Sequence, residues 1–194
     1  RGQAVPSPEE AMEAMAAQGV RRLLVQPTHL ICGEEYDKLC KAVWQREGLF
    51  ERVQMGQPLL YDLEDYKAVA QAVCEALPVE PEEALVLMGH GTPHPMNAVY
   101  PALQYVFQSL GMGYVFLGTV EGRPAGPDVV ARVQAAGYRK AALAPLKLVA
   151  GDHAKNDMAG PEPDSWKSLL EGAGLPVRCI LQGLGELEAI QQMY

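Results

Sequence analysis

Four short apolar runs, at residues 84–88, 114–117, 141–149 and 177–181, alternate with stretches patterned as amphipathic helices. Runs without polar alternation fit strands buried on both faces, and strand–helix alternation gathers them into a parallel sheet covered by helices. The segments between them, 95–110, 128–136 and 165–171, read as helices. The clearest apolar face belongs to the first of these, through Val99, Leu103, Val106, Phe107 and Leu110. In sheets of this kind ligands bind outside the carboxyl ends of the strands. The segments just after the first three runs are therefore the candidate site: Gly89-His90-Gly91, then Gly118-Thr119-Val120-Glu121-Gly122, then Gly151-Asp152-His153-Ala154-Lys155-Asn156-Asp157.

The earlier part of the chain obeys the same grammar less completely. Ser7-Pro8-Glu9-Glu10 is a capping box with proline at the first helical position, followed by Ala11, Met12, Met15 and Ala16 on one face and a stop at Gly19. A strand is expected at 23–25, continuing through Pro27 to Gly33. A helix comes next over 34–47, with Tyr36, Leu39, Cys40, Val43 and Trp44 as its apolar face, and then a short strand over 52–55. Asp62 and Asp65 cap a longer helix that buries Tyr66, Val69, Ala70, Val73 and Leu77. The stretch Pro78-Val79-Glu80-Pro81-Glu82-Glu83 reads as a linker.

An offset of 118 positions superposes Ala17, Gly19, Arg21, Pro27, Leu30 and Gly33 on Ala135, Gly137, Arg139, Pro145, Leu148 and Gly151. The chain thus reads as α/β with two similar lobes of parallel sheet flanked by helices. Residues 1–80 form a partial first lobe and residues 81–194 a second lobe with the candidate ligands. The first lobe holds counterparts of only the third and fourth strands of the second. The expectation is that a strand–helix–strand unit belongs before Arg1; the alternative is a short variant whose edge a second subunit covers.

Composition narrows the partners. A net charge of −8 over 194 residues argues against nucleic acid or an anionic membrane. No apolar run approaches the roughly 18 residues of a membrane span. Cys32, Cys40, Cys74 and Cys179 show no metal-finger spacing and read as free thiols, which suggests a reducing, cytoplasmic setting. A periplasmic one stays open, because any leader before Arg1 lies outside this sequence.

Each candidate side chain also has a plain structural reading. His90 between glycines fits a site loop or a turn hydrogen bond, Glu121 a solvated turn, and His153 an exposed position beside a helix cap. Together they are stronger. Three metal-competent groups occupy equivalent ends of three successive strands, and two imidazoles with one carboxylate suit a borderline divalent ion such as Co, Ni, Fe or Zn. Glu35 is the repeat counterpart of His153 and faces the same cleft or serves as a first-turn helix carboxylate. His29, opposite Lys147 in the repeat, fits a rim position, and so does His94. Lys147, Lys155 and Arg123 are either receivers of substrate carboxylates or a solvated basic face. Met158 and Trp166 read as packing.

Several runs resemble the sirohydrochlorin cobaltochelatases of the anaerobic pathway, the CbiK type. They are Met88-Gly89-His90-Gly91, Gly118-Thr119-Val120-Glu121-Gly122, the stretch from Pro145 through Gly151-Asp152-His153 to Ala159, Asp164-Ser165-Trp166-Lys167 and Gly183-Leu184-Gly185-Glu186. In the first lobe Gln26-Pro27, His29, Gly33-Glu34-Glu35-Tyr36 and Pro58-Leu59-Leu60 agree as well. The resemblance implies a class II chelatase fold, a sirohydrochlorin tetrapyrrole between the lobes and ATP-independent insertion of Co2+, with Fe2+ or Ni2+ as alternatives. It implies that His90, Glu121 and His153 hold the metal, that His90, His153 and Glu35 serve catalysis, and that His29, Lys147 and Arg123 contact the macrocycle. Departures are Lys147 where an apolar residue is common, Arg123 in place of a frequent aromatic, and Leu187-Glu188 in place of Asn-Pro.

The implied mechanism binds the ion against one face of the ring while histidine accepts pyrrole protons. Alternatives are a sirohaem ferrochelatase and a metal or haem carrier without turnover. A homo-oligomer, or association with an N-terminal segment, is expected.

Overall fold

The computed structural model describes residues 5–194. Its elements are, in chain order, α1 (Pro8–Ala17), β1 (Arg22–Val25), α2 (Glu34–Trp44), β2 (Arg52–Met55), α3 (Leu63–Ala76), β3 (Glu83–Gly89), α4 (Val99–Ser109), β4 (Val115–Thr119), α5 (Gly126–Ala135), β5 (Lys140–Pro145), α6 (Trp166–Gly172), β6 (Val177–Cys179) and α7 (Glu188–Gln191). A four-stranded sheet runs in the order β4-β3-β5-β6, and β1 pairs with β2 in a second sheet; every pairing is parallel.

Strand alternation divides the larger sheet's side chains between two cores. Leu85, Leu87, Leu117 and Ala144 point into one, with Val69, Val73, Leu103 and Phe107 from α3 and α4. Ala84, Val86, Met88, Phe116 and Leu143 point into the other, with Val129, Val133, Trp166 and Leu170 from α5 and α6. All seven residues of β3 are buried, as expected for a central strand covered on both faces. The first core extends past the larger sheet. Leu59 and Leu60 belong to it and Leu30 and Ile31 pack against it, so the segments after β1 and β2 rest on the same apolar layer as α3.

Helix starts obey the capping logic. Ser7 accepts from the Glu10 amide at 3.2 Å, and Glu10 accepts from the Ser7 amide at 2.8 Å. Asp62 and Asp65 make the same reciprocal pair at the start of α3. The repeat is physical as well as textual. Gly19 and Gly137 both come after a helix with positive φ, at +83° and +81°, and both lead into a strand, β1 and β5.

The structure corrects four expectations. The third apolar run is a strand only to Pro145. Beyond it the Leu146 amide donates to the Met88 carbonyl at 2.8 Å, and the carbonyls of Lys147 and Leu148 accept from the amides of Leu184 and Gly185. Pairing with β3 thus ends at the Leu146 amide, and the run stays apolar because Leu146 is buried and Leu148 packs on the first core. In the same way β1 ends at Val25 rather than running to Gly33, and α2 ends at Trp44 before a 3-10 turn over Glu47–Leu49. β1 has β2 as its one strand neighbour among the described residues, and Leu24 is 70% exposed.

The fourth correction concerns the linker. Glu83 opens β3, is buried, and accepts from Arg178 on β6 at 2.8 and 2.9 Å. Arg178 also donates to the Pro78 carbonyl, and Lys140 pairs with Glu80. The hydrogen bonds from Arg178 are the main reason the Glu83 carboxyl lies below its ordinary 4.5. Arg178→Ala strands a buried carboxylate. The expected cost is about 2 kcal/mol, less than for a fully buried pair because Arg178 itself reaches water. Thermal melting of the variant should fall by roughly 4–8 °C. A carboxyl whose folded pKa is depressed stabilises above its unfolded value and loses that contribution as pH falls through the folded one. The gap between wild type and variant therefore narrows as pH drops below 4.5.

Candidate metal centre

β3 and β4 keep pairing one step past their last ladder residues. The Val120 amide donates to the Gly89 carbonyl at 3.1 Å, and the Glu121 amide to the His90 carbonyl at 2.7 Å. Those bonds set His90 and Glu121 side by side, with His90 Nε2 3.1 Å from Glu121 Oε2. His153 arrives from the far side of β3, on the turn after the β5 exit loop. Its ring centroid stands 4.9 Å from that of His90.

The glycines flanking His90 are required by close approach. A Cβ at Gly89 would lie 2.4 Å from the Tyr100 ring. Gly91 has φ +83°, and a Cβ there would lie 2.6 Å from the Gly122 amide nitrogen. The Tyr100 hydroxyl accepts from the Gly91 amide at 3.3 Å. Asn97 accepts from the Thr92 amide and donates to the Arg123 carbonyl, tying the loop after β3 to the loop after β4.

One nitrogen or oxygen from each of His90, Glu121 and His153 lies within 4.8 Å of the others. Two ligands at the tetrahedral angle on one ion stand about 3.4 Å apart, so small side-chain adjustments would let all three reach a common ion. Two imidazole nitrogens and one carboxylate oxygen suit a first-row divalent ion, and three protein ligands leave further coordination positions open. All three side chains are partly exposed. A cavity of about 460 Å³ lies between this wall, with His90, Thr92 and Glu121, and a first-lobe wall with His29, Ile31 and Tyr36.

The other candidates are placed less directly. Glu35 lines the same cavity, but its carboxylate is exposed and paired with Lys38 at 2.7 Å; that hydrogen bond holds it below the ordinary carboxylate range. His29 lines the cavity with a buried Nδ1 that has no hydrogen-bond partner among the described residues, and its ring meets Tyr36 edge-on. Arg123 lies outside that lining and binds Asp128 at 2.8 Å at the start of α5. Lys147 is half-buried; burial pushes its ammonium pKa down, and the carboxylates of Asp157 and Glu121 oppose the shift. His94 spans from the second lobe to Asp37 of α2 at 3.4 Å. Met158 and Trp166 are buried in the second core.

Sequence reasoning missed two contributors. Tyr100, on α4, had no signal beyond helical spacing. Asp157 had one: it stands four residues after His153, the separation at which helical side chains meet.

Against known protein families, the whole chain, residues 1–194, matches the model described as cobalt chelatase (CbiK). The chain belongs to the CbiK cobalt chelatase family. It is 37% identical over 191 residues to the sirohydrochlorin cobaltochelatase of Salmonella typhimurium, covering 98% of this chain and 72% of that protein. It is 35% identical over 189 residues to the sirohydrochlorin cobaltochelatase CbiKC of Nitratidesulfovibrio vulgaris, covering 95% of this chain and 67% of that protein. Among solved structures, Bacillus subtilis SirB with Fe3+ matches 98% of this chain and 75% of its own at a TM-score of 0.64 and 16% identity. The sirohydrochlorin chelatase SirB from Bacillus subtilis subspecies spizizenii, in complex with cobalt, covers 99% of this chain and 74% of its own, with a TM-score of 0.55 and 17% identity. At these identities the likeness shows the chelatase fold.

Lys147 places a positive charge beside the carboxylates of a candidate cation site. Lys147→Met should tighten Co2+ binding by about threefold to tenfold, the scale of a partly screened charge. Titration of the metal-free chain with Co2+, followed by absorbance, measures this.

Proposed function

We propose that this chain inserts Co2+ into sirohydrochlorin without nucleotide hydrolysis, with His90, Glu121 and His153 presenting the ion. The observation that carries the reading is the gathering of those three side chains, two of them beside a cavity walled by both lobes, in a member of the cobalt chelatase family. The metal is a substrate here, and so is the macrocycle.

The chemistry is set by the ligands. Insertion of a divalent ion into the ring releases two pyrrole protons. Neutral imidazole is the form that ligates, and it is also a proton acceptor once a ring nitrogen takes its place on the ion. Each histidine can thus deliver metal and then remove a proton, while Glu121 keeps the ion's charge balanced during the exchange. Glu35 and His29 face the ring from the first-lobe wall, where His29 offers its unpartnered Nδ1. Lys147 and Arg123 contribute positive charge for substrate carboxylates, and Arg123 must leave Asp128 to do so.

The reading extends to a reducing cytoplasm, consistent with four free cysteines, and to a second copy or an N-terminal segment that pairs with the exposed edge of β1. Among the described residues no helix is long and apolar enough to cross a membrane. Fe2+ and Ni2+ are the competing ions, because imidazole and carboxylate accept all three.

Anaerobic incubation of sirohydrochlorin with the chain and Co2+ should give a time-dependent metallo-sirohydrochlorin spectrum, faster than with Fe2+ at equal concentration. Stoichiometric binding without turnover would sink the enzyme reading, and a faster Fe2+ rate would reassign the metal. His153→Ala should lower the rate by more than the roughly 100-fold that loss of an outer partner costs, with circular dichroism unchanged.

A further inference from the structure

We infer that Asp157 is a positioning residue for metal capture, acting through His153. The inference rests on the assignment of His90, Glu121 and His153 as metal ligands and extends it to a residue outside that cluster.

The two histidines of the cluster are held differently. His90 points Nε2 at Glu121 Oε2, 3.1 Å away, so an arriving ion takes the place of a contact between its own two ligands. His153 is held by a carboxylate outside the cluster. Its Nδ1 lies 2.5 Å from Asp157 Oδ2, in hydrogen-bond contact. With an ionised carboxylate as acceptor, Nδ1 carries the proton, and Nε2 is left with the lone pair that a metal needs. Asp157 thus selects one tautomer and one ring orientation of His153.

The backbone keeps the two residues together. His153 has helical dihedrals and is followed directly by a single π turn, Ala154–Met158, a geometry found often at functional sites. Ala154 and Met158 are fully buried in the second core, which anchors both ends of the turn. The turn closes on Gly160, whose amide donates to the Asn156 carbonyl at 2.9 Å. A Cβ there would stand 2.2 Å from that oxygen. Ser165, capping α6, donates its hydroxyl to the Gly160 carbonyl at 2.8 Å. An ordinary exposed ion pair at this spacing would add little stability and nothing to metal affinity. The two roles therefore separate by experiment.

Co2+ is titrated into the full chain and into Asp157→Ala, Asp157→Asn, His153→Ala and the Asp157→Ala/His153→Ala double variant, with the visible d–d spectrum and thermal melting recorded for each. Asp157→Ala should bind Co2+ about 10- to 100-fold more weakly, with a shifted d–d band and near-unchanged melting. Asp157→Asn keeps an oxygen that accepts the Nδ1 proton and should recover most of the affinity. In the His153→Ala background, removing Asp157 should change nothing further. Affinity within twofold of wild type for Asp157→Ala would overturn the positioning role. An equal loss in the His153→Ala background would do so too, as would an Asp157→Asn variant no better than Asp157→Ala. Wild-type Co2+ affinity in His153→Ala would instead sink the metal-site reading, and the positioning role with it.

Discussion

The hydrogen bond from the Glu121 amide to the His90 carbonyl, at 2.7 Å, continues the β3–β4 ladder beyond its regular end. The geometry of the centre depends on that continuation. Parallel strands in register deliver the residues beyond them to the same level, so two side chains 31 positions apart become neighbours with Nε2 and Oε2 3.1 Å apart. The glycines at 89, 91 and 122 are what permit it, because each would drive a Cβ into a neighbouring ring, backbone or amide group. Tyr100 then fills the space under the loop and accepts from its backbone.

The sheet is chemically polarised. At the amino ends of its strands Glu83, Arg178, Glu80 and Lys140 pair with one another, and the pairing there closes the structure. At the carboxyl ends backbone geometry gathers titratable groups that are only partly buried, two of them lining a cavity. A parallel sheet makes such a division available because all of its strands point the same way. The first lobe supplies the opposing wall by resting Leu30, Ile31, Leu59 and Leu60 on the apolar layer shared with α3 and α4. A second-lobe core and the floor of the cleft are therefore one packing problem.

Much of this was legible in the chain's patterning. Continuous apolar runs marked β3 and β4 closely, capping boxes located the starts of α1 and α3, and the 118-residue offset anticipated the matched helix–glycine–strand junctions at Gly19 and Gly137. The three groups of the centre were legible because each stands just beyond an apolar run, at the end of the sheet where ligands bind. The errors share a cause. The run ending at Val149 looked like strand because Leu146 and Leu148 are apolar, yet pairing with β3 ends at the Leu146 amide and both side chains join Leu184 and Leu187 in the first core. Glu83 looked like linker because charge and proline surround it, and its partner Arg178 lies 95 residues away. Asp157 stood in the candidate stretch without a role of its own, because its spacing of four from His153 brings the two side chains together only once the segment is known to be helical.

By itself, then, the sequence determined the α/β class, the order of the elements, the polarity of the sheet and the identity of three metal-competent side chains at its strand ends. Those properties come from local periodicity and from the rule that parallel strands share a carboxyl end. The tertiary structure decided which of the other polar groups join them. Glu35 turns to Lys38, Arg123 to Asp128 and Asp157 to His153, while His29 keeps a buried nitrogen without a partner among the described residues. Such pairings depend on rotamers and on contacts a few ångströms wide, and composition and spacing along a chain do not encode distances on that scale.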